Sequence, residues 1–135
     1  LESSAYVDMT LSTLKKFCVD VNVLEDGYEI NPIEKYVSPG EYIVEGDWSN
    51  SAFFLVAAAL SGKILITGLD FSSKQSDKAI LQILQLAGVD AELSEEKITV
   101  RQSEIKPFSV DVSQFPDLFP ILAILACGAK GDSLQ

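Results

Sequence analysis

An α/β fold is what this 135-residue sequence predicts, built from repeated strand-helix-strand-helix-strand-strand units with helices buried inside and sheets outside. Three observations predict it. Short β-branched runs alternate with helical patterns along the chain. A helix and hairpin recur, with Leu11, Leu14, Val19, Asp20 and Glu25 matched 70 positions later by Leu81, Leu84, Val89, Asp90 and Glu95. Ala57 and Gly62 are likewise matched 69 positions later by Ala126 and Gly131. Repeats of this length are duplicated supersecondary units whose faces pack on one another. Finally, segments 52–60 and 118–127 are apolar almost all round, as in helices covered on several sides. That composition suits helices inside a ring of sheets, the reverse of a doubly wound fold.

The elements follow in order. A helix over residues 5–18 carries Val7, Leu11, Leu14, Phe17 and Cys18 on one face. Strands at 19–24 and 28–30 flank the turn Glu25-Asp26-Gly27, and 31–40 is a Pro-containing connection. Residues 41–45 read as a strand. A helix over 49–61 opens behind Ser49-Asn50-Ser51 and stops at Ser61-Gly62. Then come a strand at 63–68, a helix at 76–87, and strands at 89–93 and 96–101 around a solvated turn. A link through Pro107 leads to a strand at 108–112 and a helix at 117–128. The chain reads as an internal piece of a longer protein: the back half of one unit, a whole unit over 41–101, and the front half of a third.

Composition excludes several functions. The formal charge is −10, with no His and one Arg, Arg101. Such a surface repels nucleic acid and anionic lipid, whose recognition rests on Lys and Arg neutralising phosphate. The longest apolar runs, 52–60 and 121–127, fall far short of the roughly 20 residues that cross a bilayer. Cys18 and Cys127 lie far apart near predicted helix ends and read as buried apolar thiols of a cytoplasmic protein. Without His or paired Cys, no transition-metal site is expected.

Residues 42–69, YIVEGDWSNSAFFLVAAALSGKILITGL, carry a strand, a VEGD turn and an alanine-rich helix. Ser3-x-x-Tyr6 precedes them and Phe115-Pro116-Asp117 follows. In this order the three segments resemble the 5-enolpyruvylshikimate-3-phosphate synthases over essentially the whole chain. The resemblance implies an enolpyruvate transferase-like inside-out barrel of βαβαββ units in two domains, with the crossing near Glu45. Residues 1–45 would then end the first domain and 46–135 begin the second. It further implies transfer of the enolpyruvyl group from phosphoenolpyruvate to the 5-hydroxyl of shikimate 3-phosphate, without metal or organic cofactor, by a protein that is monomeric when full length.

The site residues follow from the same resemblance. Alone, Asp117 reads as a helix-start residue, Ser3 as an N-cap hydroxyl and Tyr6 as a partly buried aromatic. By resemblance, Asp117 contacts the attacking hydroxyl of shikimate 3-phosphate, and Ser3 and Tyr6 face the same ligand. Where the family often has Lys-Pro between that serine and tyrosine, this chain has Ser4-Ala5, which leaves the phosphate contact open. Glu45, Asp47, Ser49 and Asn50 read as helix cap and hinge, and Lys74-Gln75-Ser76-Asp77 as a helix start without chemistry. One Arg cannot bind two phosphorylated anions and stabilise developing charge, so the fragment alone is expected to be inactive. The rival readings are a UDP-N-acetylglucosamine enolpyruvyl transferase, an RNA 3′-phosphate cyclase sharing the repeat unit, and a non-catalytic α/β module whose acids merely cap helices.

Overall fold

A computed structural model describes residues 4–95 and 97–133. The chain opens with helix α1, Ser4–Lys16. It stops in a left-handed turn: Cys18 adopts φ 60°, its N–H reaches the Lys15 carbonyl at 3.1 Å, and the Val19 N–H reaches that of Leu14 at 3.0 Å. These two bonds satisfy carbonyls that the helix end would otherwise leave free, and they fold Val19 inward to 3% exposure. Strands β1, Val21–Val23, and β2, Tyr28–Ile30, then pair antiparallel with Val21 opposite Ile30.

Seventy residues on, the same construction appears. Helix α3, Ile80–Leu86, ends with Gly88 at φ 75°. The Gly88 N–H binds the Gln85 carbonyl at 3.0 Å and the Val89 N–H that of Leu84 at 2.9 Å. Strands β4, Asp90–Ser94, and β5, Lys97–Arg101, pair antiparallel with Ala91 opposite Val100. Adding 70 to the first register therefore yields the second. Such caps favour an apolar pair at these two positions, and Leu84 and Val89 both belong to the core cluster, which accounts for the recurrence of Leu and Val there. The other predicted recurrence is looser. Helix α2, Trp48–Ser61, runs to the residue before Gly62, whereas α4, Phe119–Cys127, stops four residues short of Gly131.

Helix α2 organises the centre. Strand β3, Lys63–Thr67, returns from it and pairs with β5, giving the antiparallel order β3-β5-β4. Ile98 and Val100 of β5 point inward with Ile64 and Ile66 of β3, and the sheet packs on Leu55, Val56 and Ala59 of α2. Leu118, Ile121, Leu122 and Leu125 close the cluster from the α4 side. Each fully buried Leu or Ile contributes about 1.5–3 kcal/mol. This cluster draws all its buried residues from position 48 onward. The α1 segment lies outside it, with none of its residues buried.

Four expectations need correction. Residues 41–45 have no ladder partner among the described residues and form no strand, with Ile43 and Val44 each 80% exposed. The strand at 108–112 reduces to a single bridge at Ser109, although Phe108, Val110 and Val112 still turn toward the core. Helices α2 and α4 are covered on one side only, leaving Phe53, Phe54, Phe119 and Ile124 exposed. Both cysteines are exposed rather than buried, because Cys18 sits in the left-handed turn and Cys127 ends α4 on its outer side.

At Gly46 the chain passes close to the backbone of Gly68. A Cβ there would lie 2.6 Å from the Gly68 carbonyl oxygen and 2.9 Å from Leu69 Cδ2. The first of these neighbours is backbone and cannot swing away. Gly46→Ala is expected to destabilise the full-length protein by about 1–3 kcal/mol, read as a lowered urea midpoint at unchanged slope.

Candidate active site

A cavity of about 1120 Å³ opens between α1 and the end of α2 that faces it. Tyr6 and Met9 of α1 line it together with residues 42–45 and with Asp47, Ser49 and Asn50 at the start of α2. Loop 68–77 and Asp117 complete it. Asp47 caps α2: its Oδ1 accepts the Asn50 N–H at 2.9 Å. An acid at a helix N-terminus satisfies a free donor and meets the positive end of the dipole, so the capping expected of this segment is present.

Tyr6 and Asp117, 111 positions apart, meet inside this cavity. The Tyr6 hydroxyl donates to Asp117 Oδ2 at 2.8 Å. Asp117 lies in a 3-10 turn, Pro116–Leu118, ahead of α4, and its side chain makes no capping bond to that turn. The helix-cap reading of its carboxylate is therefore replaced by a contact to another element. The bond to the Asp117 carboxylate, then burial and the charge of Asp77, push the Tyr6 phenol up to about 12. Tyr6 thus remains a donor throughout the neutral range. Ser3 lies outside the described residues.

The loop after β3 includes the Lys74-Gln75-Ser76-Asp77 segment, read from sequence as a helix start without chemistry. Gln75 joins it to the α2 start: Oε1 accepts the Trp48 N–H at 2.9 Å, and Nε2 donates to the Gly46 carbonyl at 2.9 Å. The buried Trp48 indole donates to the Asp70 carbonyl at 3.1 Å, and Lys78 Nζ holds the Phe71 and Ser73 carbonyls, each at 2.9 Å. The 3-10 turn Ser76–Ala79 then places Ser76 and buried Asp77 on the cavity wall. The one sequence signal was an unbroken polar run, residues 72–78, between strand and helix.

Burial pushes the Asp77 carboxyl above its ordinary 3.8, with Asp117 and Asp47 adding to the rise and the Ser49 hydroxyl opposing it. The folded state therefore keeps this proton at pH values where the unfolded chain has released it. Stability then falls as pH rises from about 3.8 through the raised folded value, and does not recover above it. Asp77→Asn is expected to raise the thermal midpoint of the full-length protein at pH 7.5, with the gain shrinking toward pH 4. A variant less stable at pH 7.5 would contradict this sign.

A family model described as EPSP synthase (3-phosphoshikimate 1-carboxyvinyltransferase) matches residues 1–134. The chain belongs to the EPSP synthase family. Among relatives named 3-phosphoshikimate 1-carboxyvinyltransferase, that of Methanocorpusculum labreanum is 42% identical over 133 residues, covering 98% of this chain and 31% of the relative. That of Pyrococcus furiosus is 40% identical over 136 residues, covering 98% and 33%. The chain thus spans about a third of the length of the curated EPSP synthase relatives it matches. Two solved structures show the likeness of fold. The EPSP synthase of Acinetobacter baumannii has a TM-score of 0.73 at 23% identity, covering 93% of this chain and 31% of that one. The enolpyruvyl transferase NikO of Streptomyces tendae has a TM-score of 0.77 at 19% identity, covering 100% and 33%. The mixed α/β arrangement is therefore that of the EPSP synthase family. No helix among the described residues is long and apolar enough to cross a membrane.

Proposed function

We propose that the full-length protein transfers the enolpyruvyl group of phosphoenolpyruvate to the 5-hydroxyl of shikimate 3-phosphate, releasing phosphate. The observation that carries this reading is the contact of Tyr6 with Asp117 inside one cavity, in a chain of the EPSP synthase family. Tyr6 occupies the acceptor that a substrate hydroxyl would use. When the ligand enters, the Asp117 carboxylate accepts the 5-hydroxyl proton and aligns its oxygen, while Tyr6 and Ser3 bind the same ligand. The methylene carbon of phosphoenolpyruvate takes a proton from a group elsewhere in the full chain, and the 5-hydroxyl oxygen bonds to its C2. The resulting ketal loses phosphate and a methyl proton, restoring the double bond.

Two lysines, Lys16 and Lys74, are the basic side chains among the described residues that line the cavity, too few to hold two phosphorylated anions, so further basic groups come from beyond these residues. Arg101 is engaged on the sheet by Asp90 at 3.4 Å and Glu92 at 3.0 Å, and it is not among the residues around the cavity. The fragment alone is accordingly inactive. The architecture we propose for the whole is two inside-out barrels of βαβαββ units, with the chain crossing between domains near Glu45. A core drawn entirely from residue 48 onward supports that boundary, and the exposed faces of α2 and α4 fit helices awaiting further units. Two free, exposed thiols suit the reducing cytoplasm, where the protein acts as a monomer without cofactor.

The test is titration of the full-length protein with shikimate 3-phosphate, with and without phosphoenolpyruvate, while following phosphate release. Release requiring both compounds is expected. Release with UDP-N-acetylglucosamine as the acceptor instead would overturn the assignment.

A further inference from the structure

Three side chains, Gln75, Asp47 and Asn50, form a relay from the loop after β3 to the cavity. Gln75 spends both ends of its amide on one stretch of backbone: Oε1 accepts the Trp48 N–H and Nε2 donates to the Gly46 carbonyl, each at 2.9 Å. Asp47 lies between those two groups in extended conformation, with φ −88° and ψ 110°. In that conformation the carbonyl before a residue and the N–H after it point to one side, so one amide pairs with both as a neighbouring strand would. With both flanking peptide planes held, the two soft dihedrals of Asp47 are held too, and its carboxylate keeps one direction.

The carboxylate passes this order on. Asp47 Oδ1 accepts the Asn50 N–H at 2.9 Å, and Oδ2 accepts from Asn50 Nδ2 at 2.6 Å. A side-chain amide beside a carboxylate turns its nitrogen toward it, because only the nitrogen carries protons. The Asn50 carbonyl Oδ1 is thereby left for another partner. Unlike the buried groups of the 3-10 turn that follows Gln75, Asn50 is exposed, and it lines the same cavity as Tyr6 and Asp117.

We propose that Asn50 is a further ligand-binding residue, accepting a hydrogen bond from a ring hydroxyl of shikimate 3-phosphate, and that Gln75 positions it through Asp47. The proposal rests on the functional reading above and adds a contact to it. Oδ1 only accepts, so its partner must bring a proton. A hydroxyl does so. Ionised phosphate and carboxylate groups do not, and the nearby Asp47 charge repels them. The relay therefore selects the hydroxylated acceptor and not phosphoenolpyruvate.

The test uses full-length wild type, Asn50→Ala, Gln75→Met and the double variant, titrated calorimetrically with shikimate 3-phosphate. Asn50→Ala keeps the backbone N–H that Asp47 caps and suits a helix. Gln75→Met keeps the length of the side chain and removes both bonds without adding charge. Each single variant is expected to bind about tenfold more weakly, and the double variant no more weakly than Asn50→Ala. In steady-state phosphate release the KM for shikimate 3-phosphate rises by the same factor, while kcat and the KM for phosphoenolpyruvate hold. Unchanged affinity in Asn50→Ala, or a loss confined to phosphoenolpyruvate, overturns the contact. A double variant tenfold weaker than Asn50→Ala overturns the relay, since Gln75 would then act by another route. Should Gln75→Met fail to fold, Asn50→Ala alone still decides the contact. Wild type that binds no shikimate 3-phosphate would instead remove the functional reading, and this inference with it.

Discussion

Replacing Asp117 by alanine in the full-length protein is expected to lower turnover by a factor of about 10²–10⁴, the span that a positioned general base contributes. The fold should remain intact. Asp117 is exposed, makes no capping bond to its own turn, and has Tyr6 as its side-chain partner. Its neighbour Leu118 is fully buried and holds the turn in place without it. Asp117→Asn preserves the shape and separates the two roles of the carboxylate. An amide can still accept a hydrogen bond from the ring hydroxyl, but it cannot take the proton. The expected pattern is near-normal binding of shikimate 3-phosphate with phosphate release reduced almost as far as in the alanine variant. Phosphate release within tenfold of wild type, with either substitution, would reject Asp117 as the base.

The largest effect on stability is expected from Trp48→Ala, about 3–5 kcal/mol. Trp48 is 0% exposed and packs edge-on against Phe71 at a centroid separation of 5.7 Å. Its indole also satisfies the Asp70 carbonyl. Truncation would therefore create a cavity and leave a polar group without its partner, two costs that add. Urea denaturation of the full-length protein measures it. A loss below about 1 kcal/mol would mean that the surrounding loop collapses into the gap, an outcome at odds with its fixed hydrogen bonding.

Much of the fold was legible because local signals and packing agree. The α2 boundaries are set by chemistry written in adjacent residues: Asp47 caps one end and Gly62 follows the other. The hairpin recurrence was readable from Leu14, Val19, Leu84 and Val89 because the same backbone bond, Val N–H to Leu carbonyl, closes each of the two left-handed helix ends. Strand propensity at 41–45 was misleading for a physical reason. Ile43 and Val44 suit a pleated surface, but a strand exists only with a ladder partner, and propensity says nothing about where that partner lies. The 3-10 starts at Ser76 and Pro116 were likewise invisible, since they depend on how each helix meets the core.

The site divided along the same line. Tyr6 and Asp117 were named through family resemblance, and their meeting across 111 residues is a tertiary fact that no local pattern encodes. Gln75, Ser76 and Asp77 went unassigned because each has an ordinary helix-start explanation. What distinguishes them is the burial of Asp77 and the double bond of Gln75 to another segment. Both are properties of packing rather than of residue type.

The placement of the two thiols offers a molecular ruler. Cys18 terminates the helix that bears Tyr6, and Cys127 terminates the one that follows Asp117. They lie roughly 18 Å and 15 Å along those axes from the two residues in contact. Spin labels or dyes attached there would sit clear of the ligand yet move with each wall. Once other thiols of the full-length protein are removed, the label separation with and without shikimate 3-phosphate would report whether the two walls move relative to one another.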